Sequence, residues 1–256
     1  MNDKNRSMKD LFGFTRTVVK RRYALLTPDG FVPSQLPGWK NVTAVVNISP
    51  AMGADFSQVQ IRFGKGGRGE GNTGSLEFFI YVTAGGCHAT VGRQKRNLVT
   101  GHFVLIPPDT NFHFRGVAKE TQLLIFQKQF APLPGMKRPE VVIGHQKEIP
   151  GRPFLGNPDA RLQVLLPDRP EFDLAVNIFT YQPGATLPFV ETHIMEHGLL
   201  MLQGQGIYRL DGDWHPVQAG DVIWMAPYCP QWFVAMGKTP ASYIYYKDVN
   251  RKPLAP

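Results

Sequence analysis

Leu199-Leu-Met-Leu-Gln-Gly-Gln-Gly206 decides the fold, because Phe78-Phe-Ile-Tyr-Val-Thr-Ala-Gly-Gly86 repeats its outline in the first half of the chain. In each stretch a strand-like apolar run reaches a glycine-rich turn. Residues 77 to 114 can be laid on residues 197 to 233 with a nearly constant offset, so that Gly86 falls on Gly206, Gly101 on Gly220 and Pro107-Pro108 on Ala226-Pro227. The one-residue slip sits in the loop before Gly101. A hairpin with a polar turn such as Asp211-Gly-Asp213 follows, then glycine, an apolar strand and a proline-containing turn. The repeat predicts an all-β chain built from two copies of one unit. The 26 glycines and 22 prolines among 256 residues suit the many tight turns this requires.

Strand, turn and Gly-x5-Pro-like punctuation repeated in this way resemble the cupin, a small double-sheet jelly roll or double-stranded β-helix barrel. The chain then reads as a bicupin with an N-terminal arm over residues 1–40 and a first barrel over 41–133. A proline-rich connector follows over 134–160, and a second, metal-binding barrel over 161–256. Ala131-Pro-Leu-Pro-Gly-Met-Lys-Arg-Pro-Glu140 and Pro150-Gly-Arg-Pro153 place the connector, which is expected to hold no regular element of its own. The arm, with apolar runs at Val18-Val19 and Ala24-Leu25-Leu26, is expected to pack on one barrel or on a neighbouring subunit.

Glu191-Thr-His193-Ile-Met-Glu-His197 carries the chemistry. Residues two apart on a strand face the same way, so Glu191 and His193 are expected to look into the barrel together. His197 and Gln231 complete four candidate ligands, standing where the cupin pattern puts its metal-binding residues, with Gln231 in place of a histidine. A lone histidine on a strand is more often a satisfied core residue, but four candidates at matching positions point to an ion. Mixed nitrogen and oxygen donors with open positions suit Mn²⁺ or Fe²⁺ better than structural zinc. The repeat supplies an internal control: the first unit offers Gly71, Thr73, Glu77 and Phe112 at the same places, one potential ligand of four, and is expected to hold no metal. Alternation along Ser242-Tyr243-Ile-Tyr245-Tyr-Lys247-Asp248 puts Tyr243, Tyr245 and Lys247 on one face, and Tyr208 after the Gly206 turn is a candidate for the same cavity. An inward Lys247 would bind a carboxylate or move a proton; a lysine solvated at the strand end is the alternative.

The net charge of +8 is uneven. Residues 1 to 138 hold 19 Lys/Arg and 8 Asp/Glu, a balance of +11, whereas residues 139 to 256 hold 9 and 12, a balance of −3. The basic clusters Lys20-Arg21-Arg22 and Arg93-Gln-Lys95-Arg96 are short and carry no nucleic-acid motif, so surface or subunit contacts are expected rather than nucleic acid. No apolar run reaches the length of a membrane span and the N-terminus lacks the apolar core of a signal peptide, so no membrane is expected and a cytoplasmic location is. Cys87 and Cys229 are too few for a disulfide framework and read as buried thiols.

Beyond the cupin outline, the chain resembles the (S)-ureidoglycine aminohydrolases of purine and allantoin breakdown. The resemblance lies in Tyr23-Ala-Leu-Leu-Thr-Pro-Asp-Gly-Phe31, Leu76-Glu-Phe-Phe-Ile-Tyr-Val82, Glu191-Thr-His-Ile-Met-Glu-His-Gly198, Gly204-Gln-Gly-Ile-Tyr-Arg-Leu-Asp211 and Ser242-Tyr-Ile-Tyr-Tyr-Lys-Asp-Val-Asn-Arg251. It implies Mn²⁺ held by Glu191, His193, His197 and Gln231, substrate contacts from Tyr208, Tyr243 and Lys247, a catalytic part for Lys247, and a small anionic ureido or amino acid substrate. It implies hydrolysis of (S)-ureidoglycine to (S)-ureidoglycolate and ammonia. A metal-dependent cupin oxygenase or hydrolase acting on another small carboxylate is the rival enzyme, and a non-enzymatic small-molecule binder the third reading. Exposed barrel edges and the long arm lead to the expectation of a homo-oligomer.

Overall fold

The computed structural model describes residues 15–117 and 120–251, which form strands and short 3-10 turns. Among them no helix is long and apolar enough to cross a membrane. The first strands are β1 (Val18–Val19), β2 (Tyr23–Leu26), β3 (Pro33–Ser34), β4 (Trp39–Ile48) and the long β5 (Phe56–Asn72). There follow β6 (Leu76–Ala84), β7 (Gly86–Val91), β8 (Gln94–Val99), β9 (His102–Ile106), β10 (Asn111–Gly116) and β11 (Gln122–Gln129). The middle of the chain adds β12 (Val142–His145), β13 (Arg152–Phe154), β14 (Asn157–Val164) and β15 (Leu174–Tyr181). The last run is β16 (His197–Gln203), β17 (Gln205–Leu210), β18 (Asp213–Gln218), β19 (Val222–Met225), β20 (Gln231–Met236) and β21 (Ala241–Asp248).

The repeat seen in the glycines is a repeat of strand order. The run β9-β6-β11-β5 has its counterpart in β19-β16-β21-β15, and β8-β7-β10 in β18-β17-β20. Alternation makes each strand two-faced: along β10, Phe112 and Phe114 are buried between exposed Asn111 and Arg115. In the first half, β5 pairs with β11 over its N-terminal part and with β10 over its C-terminal part, fusing both groups into one curled sheet. In the second half β15 stops at Tyr181, and the two groups are separate sheets of eight and three strands. Pro183, Gly184 and Pro188 lie in the stretch that follows, where a strand would have to donate ladder hydrogen bonds that proline lacks.

Three apolar clusters result. One lies within the first half, around Ile61, Phe63 and Phe114. Another lies within the second, around Phe179, Tyr181, Tyr208 and Phe233. The third is shared between the halves, with Phe56, Phe79 and Phe126 facing Leu174, Trp224 and Tyr246. The Tyr246 ring stacks on Phe56 with centroids 4.2 Å apart, and each such buried aromatic contributes roughly 1.5–3 kcal/mol. Gly198 keeps this seam tight, since a Cβ there would stand 2.5 Å from the Phe56 ring.

Two segments depart from expectation. The connector is structured: β12 pairs with β9 of the first half, and the β13–β14 hairpin extends the second half's sheet through β15. Pro153 lies within β13, the edge strand of its sheet, and Pro158 near the start of β14, ahead of that strand's first pair with β15 at Ala160, so a missing N–H costs little at either. In the arm, residues 1–14 lie outside the described residues, while β2 pairs with β19 of the second half and β3 with β4 of the first. The arm is therefore a strap across both halves.

The strap also accounts for part of the uneven charge. Arg16 makes a two-pronged bond to the fully buried Asp221 at 2.6 and 2.8 Å, Lys20 meets Asp213 at 2.7 Å and Arg22 meets Asp211 at 3.2 Å. Basic groups of the N-terminal half thus neutralise acids of the C-terminal half. Cys87 and Cys229 are free and buried, and burial pushes their thiols up to about 12 and about 11.

Candidate metal centre

Glu191, His193, His197, Gln231, Tyr208, Tyr243 and Lys247 all line one cavity of about 200 Å³ in the second half. The manner in which they arrive differs from the expectation of a shared strand face. Glu191 makes a single antiparallel bridge with Gln231, its N–H donating to the Gln231 carbonyl at 2.8 Å and receiving the reverse bond at 2.9 Å. The chain then leaves the ladder over residues 192–196, where the His193 carbonyl accepts the Tyr228 N–H at 2.7 Å. His197 is the first residue of β16 and sits directly across from Lys247 on β21. Local irregularity, not strand alternation, brings the two histidines together.

The histidine geometry fixes their chemistry. His193 Nδ1 donates to the Met195 carbonyl at 3.1 Å and His197 Nδ1 to the Tyr246 carbonyl at 3.0 Å. A carbonyl can only accept, so both protons are assigned to Nδ1 and both Nε2 atoms carry lone pairs. Those two Nε2 atoms face each other at 3.2 Å. Two lone pairs at that distance repel unless a cation or an N–H donor lies beside them, and the Gln231 amide nitrogen reaches only that of His193. A proton is disfavoured, because burial and the neighbouring His193 push His197 down to about 3, and burial lowers His193 as well. The donor set fits a metal ion on this ground, with each imidazole oriented by a second hydrogen bond as metal-bound histidines are.

Gln231 stands third, its Nε2 3.1 Å from His193 Nε2 and its Oε1 accepting from the Tyr208 hydroxyl at 3.3 Å. Metal binding through Oε1 requires that the amide turn over. Among the described residues no group of three or more His, Cys, Asp or Glu stands in metal-holding geometry. Glu191 lines the cavity; burial raises its carboxyl while the Lys247 ammonium acts the other way. Lys247 is half-buried and its charge is felt at Glu191, His193 and His197, which places its ammonium within the site's field.

Several side chains escaped the sequence reading. Phe154 of β13 and Leu162 of β14 form part of the cavity wall, from a stretch expected to be connector or its margin. The alternation Ala160, Leu162, Val164 was the available signal. Tyr245, by contrast, lines the cavity on the same face as Tyr243 and Lys247, as alternation placed it, its ring meeting His197 edge-on at 5.3 Å. Tyr181 lies behind the wall and bonds Tyr243 hydroxyl to hydroxyl at 3.0 Å.

The same interior in the first half is closed. Gly71 pairs with Phe112 just as Glu191 pairs with Gln231, and a Cβ on Gly71 would stand 3.2 Å from the Phe112 ring. Thr73 bonds the Pro107 carbonyl at 2.8 Å, and Glu77 turns to Asp173 and Lys128.

Comparison with known proteins gives a consistent picture. Residues 177–246 match the family described as Cupin domain. The chain is 38% identical over 251 residues to (S)-ureidoglycine aminohydrolase of Arabidopsis thaliana, covering 96% of this chain and 82% of that protein. It is 35% identical over 242 residues to (S)-ureidoglycine aminohydrolase of Escherichia coli K12, covering 92% of each. Among solved structures, protein Ylba from E. coli superposes with a TM-score of 0.84 at 32% identity, over 98% of this chain and all of that one.

Proposed function

We propose, for a chain that belongs to the (S)-ureidoglycine aminohydrolase family, that it hydrolyses (S)-ureidoglycine to (S)-ureidoglycolate and ammonia in purine breakdown, using Mn²⁺ held by Glu191, His193, His197 and Gln231. The observation that carries the reading is the pair of facing, unprotonated Nε2 atoms of His193 and His197 at 3.2 Å, in a cavity that also presents Gln231, Glu191 and Lys247. The ion, when bound, supplies a Lewis acid with positions left for a chelating small molecule. Fe²⁺ is the second candidate.

The chain's own groups do the rest. Net hydrolysis breaks the bond from carbon to the α-amine, forms a carbon–oxygen bond to water, and moves protons from that water to the departing nitrogen. Lys247 is the cavity's cationic side chain and holds the substrate carboxylate; Tyr208 and Tyr243 present hydroxyls to its polar nitrogens and oxygens. Phe154, Leu162 and Tyr245 narrow the space around a small anion and exclude bulk water, which strengthens each polar contact. Holding the carboxylate and amine at fixed places selects one enantiomer and aligns the leaving nitrogen.

The two-barrel arrangement belongs to the same proposal, with residues 41–133 and 161–256 as a metal-free and a metal-binding cupin; the matching strand order of the two runs supports it. The test is ammonia release from freshly generated (S)-ureidoglycine by protein stripped of metal and reloaded with Mn²⁺, corrected for spontaneous decay of the substrate. Stereospecific, Mn²⁺-dependent release without oxygen is expected. Turnover that requires oxygen, or none above background with metal bound, would overturn the reading.

A further inference from the structure

Glu196 stands beside His197 yet turns away from the cavity, its carboxylate buried in the seam between the halves. There Oε1 accepts the Asp55 backbone N–H of the first half at 2.9 Å, and Oε2 accepts the Trp224 indole N–H at 3.4 Å. Among the described residues Glu196 forms no ion pair. A buried carboxylate without a cation is costly, and a packed apolar side chain would fill the place at lower cost. Fold stability alone is therefore a poor account of it.

The peptide unit between Met195 and Glu196 shows what the carboxylate does. Its N–H donates to Asp248 Oδ1 at 2.7 Å, and its carbonyl accepts the His193 Nδ1–H at 3.1 Å. The N–H and C=O of one planar trans unit point in opposite directions, so turning this plane takes the carbonyl away from His193. The ring then loses the bond that keeps its proton on Nδ1 and its Nε2 lone pair toward His197. Residues 192–196 lie outside the strand ladder, so no paired strand holds the plane. The Glu196 carboxylate, tied to Asp55 and Trp224, fixes the α-carbon at its edge.

The seam is crossed in the reverse direction at the matching place. Asp55 precedes Phe56, which stands opposite Lys128; Asp173 precedes Leu174, which stands opposite Asp248, and Asp173 bonds Lys128. That crossing touches no candidate ligand, whereas the Glu196 crossing ends on the ligand run.

We infer that Glu196 is a positioning residue through which the first half holds the metal centre: anchored to Asp55 and Trp224, it fixes the Met195–Glu196 peptide plane and with it the His193 ring. This rests on the proposed metal centre and gives the first half a part in it beyond packing.

The test compares wild type, Glu196→Leu, Glu196→Gln, Trp224→Phe and, as a lesion of the other crossing, Lys128→Met. It measures Mn²⁺ affinity of metal-stripped protein by calorimetry, thermal midpoint, and amide hydrogen exchange over residues 192–196 without metal. Glu196→Leu is expected to weaken Mn²⁺ binding about 10- to 100-fold, as loss of a group that orients a ligand does, and to speed exchange in that stretch. Glu196→Gln keeps an acceptor for the Asp55 N–H, and Trp224→Phe keeps the other acceptor filled; each is expected to lose about two- to tenfold. Lys128→Met is expected to lower the thermal midpoint with Mn²⁺ affinity within about twofold of wild type, because it lies apart from the ligand run. Wild-type affinity or wild-type exchange in Glu196→Leu would overturn the inference, as would a Glu196→Gln no better than Glu196→Leu. Lys128→Met weakening Mn²⁺ binding as much as Glu196→Leu would show general loosening of the seam and overturn it too. Where Glu196→Leu does not fold, wild-type affinity in both Glu196→Gln and Trp224→Phe is the overturning result. A wild type that binds no Mn²⁺ removes the centre and the inference with it; one that binds Mn²⁺ but releases no ammonia defeats the proposed reaction, while the affinity comparison still decides the part of Glu196.

Discussion

Phe112 in the first half, second in its strand, and Gln231 in the second, first in its own, occupy matching places, each paired with the residue that heads the candidate ligand run or its counterpart, Gly71 or Glu191. The aromatic ring fills its interior against Trp39, Phe78 and Phe114; the amide leaves space and faces His193. A second difference goes with it. The first half keeps a continuous β5 up to Asn72, the residue after its counterpart of Glu191, whereas the second leaves the ladder between Tyr181 and His197 apart from isolated bridges at Thr186 and Glu191. In the second half the irregular stretch over residues 192–196 places the His193 ring beside that of His197, their Nε2 atoms 3.2 Å apart. The closed half is the partner that shares an apolar seam with the open one.

The comparison can be broken most severely at that seam. Lys128 of β11 is almost fully buried, pairing with Asp173 of the other half and lying 3.8 Å from Glu77. Lys128→Met strands the Asp173 charge and is expected to lower unfolding free energy by about 3–5 kcal/mol in urea titrations. A loss below about 1 kcal/mol would mean that the halves do not depend on this contact.

The next largest effect copies one half onto the other. Gln231→Phe is expected to weaken Mn²⁺ binding more than about 100-fold, since it removes a ligand and not merely a supporting group. Unchanged affinity by calorimetry would remove Gln231 from the proposed ligand set.

A smaller effect reads out as pH dependence. Burial and the neighbouring Asp173 push Glu77 up to about 9, so the native state keeps a proton that the unfolded chain releases near pH 4.5. The proton is present below both values, and stability is lost as pH rises between them, by about 1 kcal/mol per pH unit from this group. Glu77→Gln is expected to flatten the fall between pH 7 and 9 in thermal melts. Parallel wild-type and variant profiles would contradict this.

The smallest effect on metal content comes from the reciprocal exchange. Phe112→Gln opens the first half without supplying Glu191, His193 or His197 equivalents, so the Mn²⁺ count should stay at that of the wild type by elemental analysis. An extra ion per chain would show that the amide position alone governs binding.

Much of this contrast was legible in the residues. The offset between Gly86 and Gly206 gave two matching runs, and the missing donors at Gly71, Thr73 and Phe112 gave a half without a ligand set. The strand at Asn157–Val164 was obscured by the prolines around it, because proline reads as a break wherever an edge cannot be told from an interior. Tyr181 carried no signal, being one more aromatic in an alternating apolar strand.

By itself the sequence determined the all-β repeat, the turns that divide it and the residue types gathered at Glu191, His193, His197, Gln231 and Lys247, since strand periodicity and donor chemistry are properties of the chain. Only the tertiary structure decided that the arm straps both halves, that the connector walls the cavity, and that both Nε2 atoms face each other with their protons held elsewhere. Those depend on which edges and carbonyls remain unpaired once the sheets have formed, and a backbone group's partner is chosen by the whole fold rather than by its neighbours in sequence.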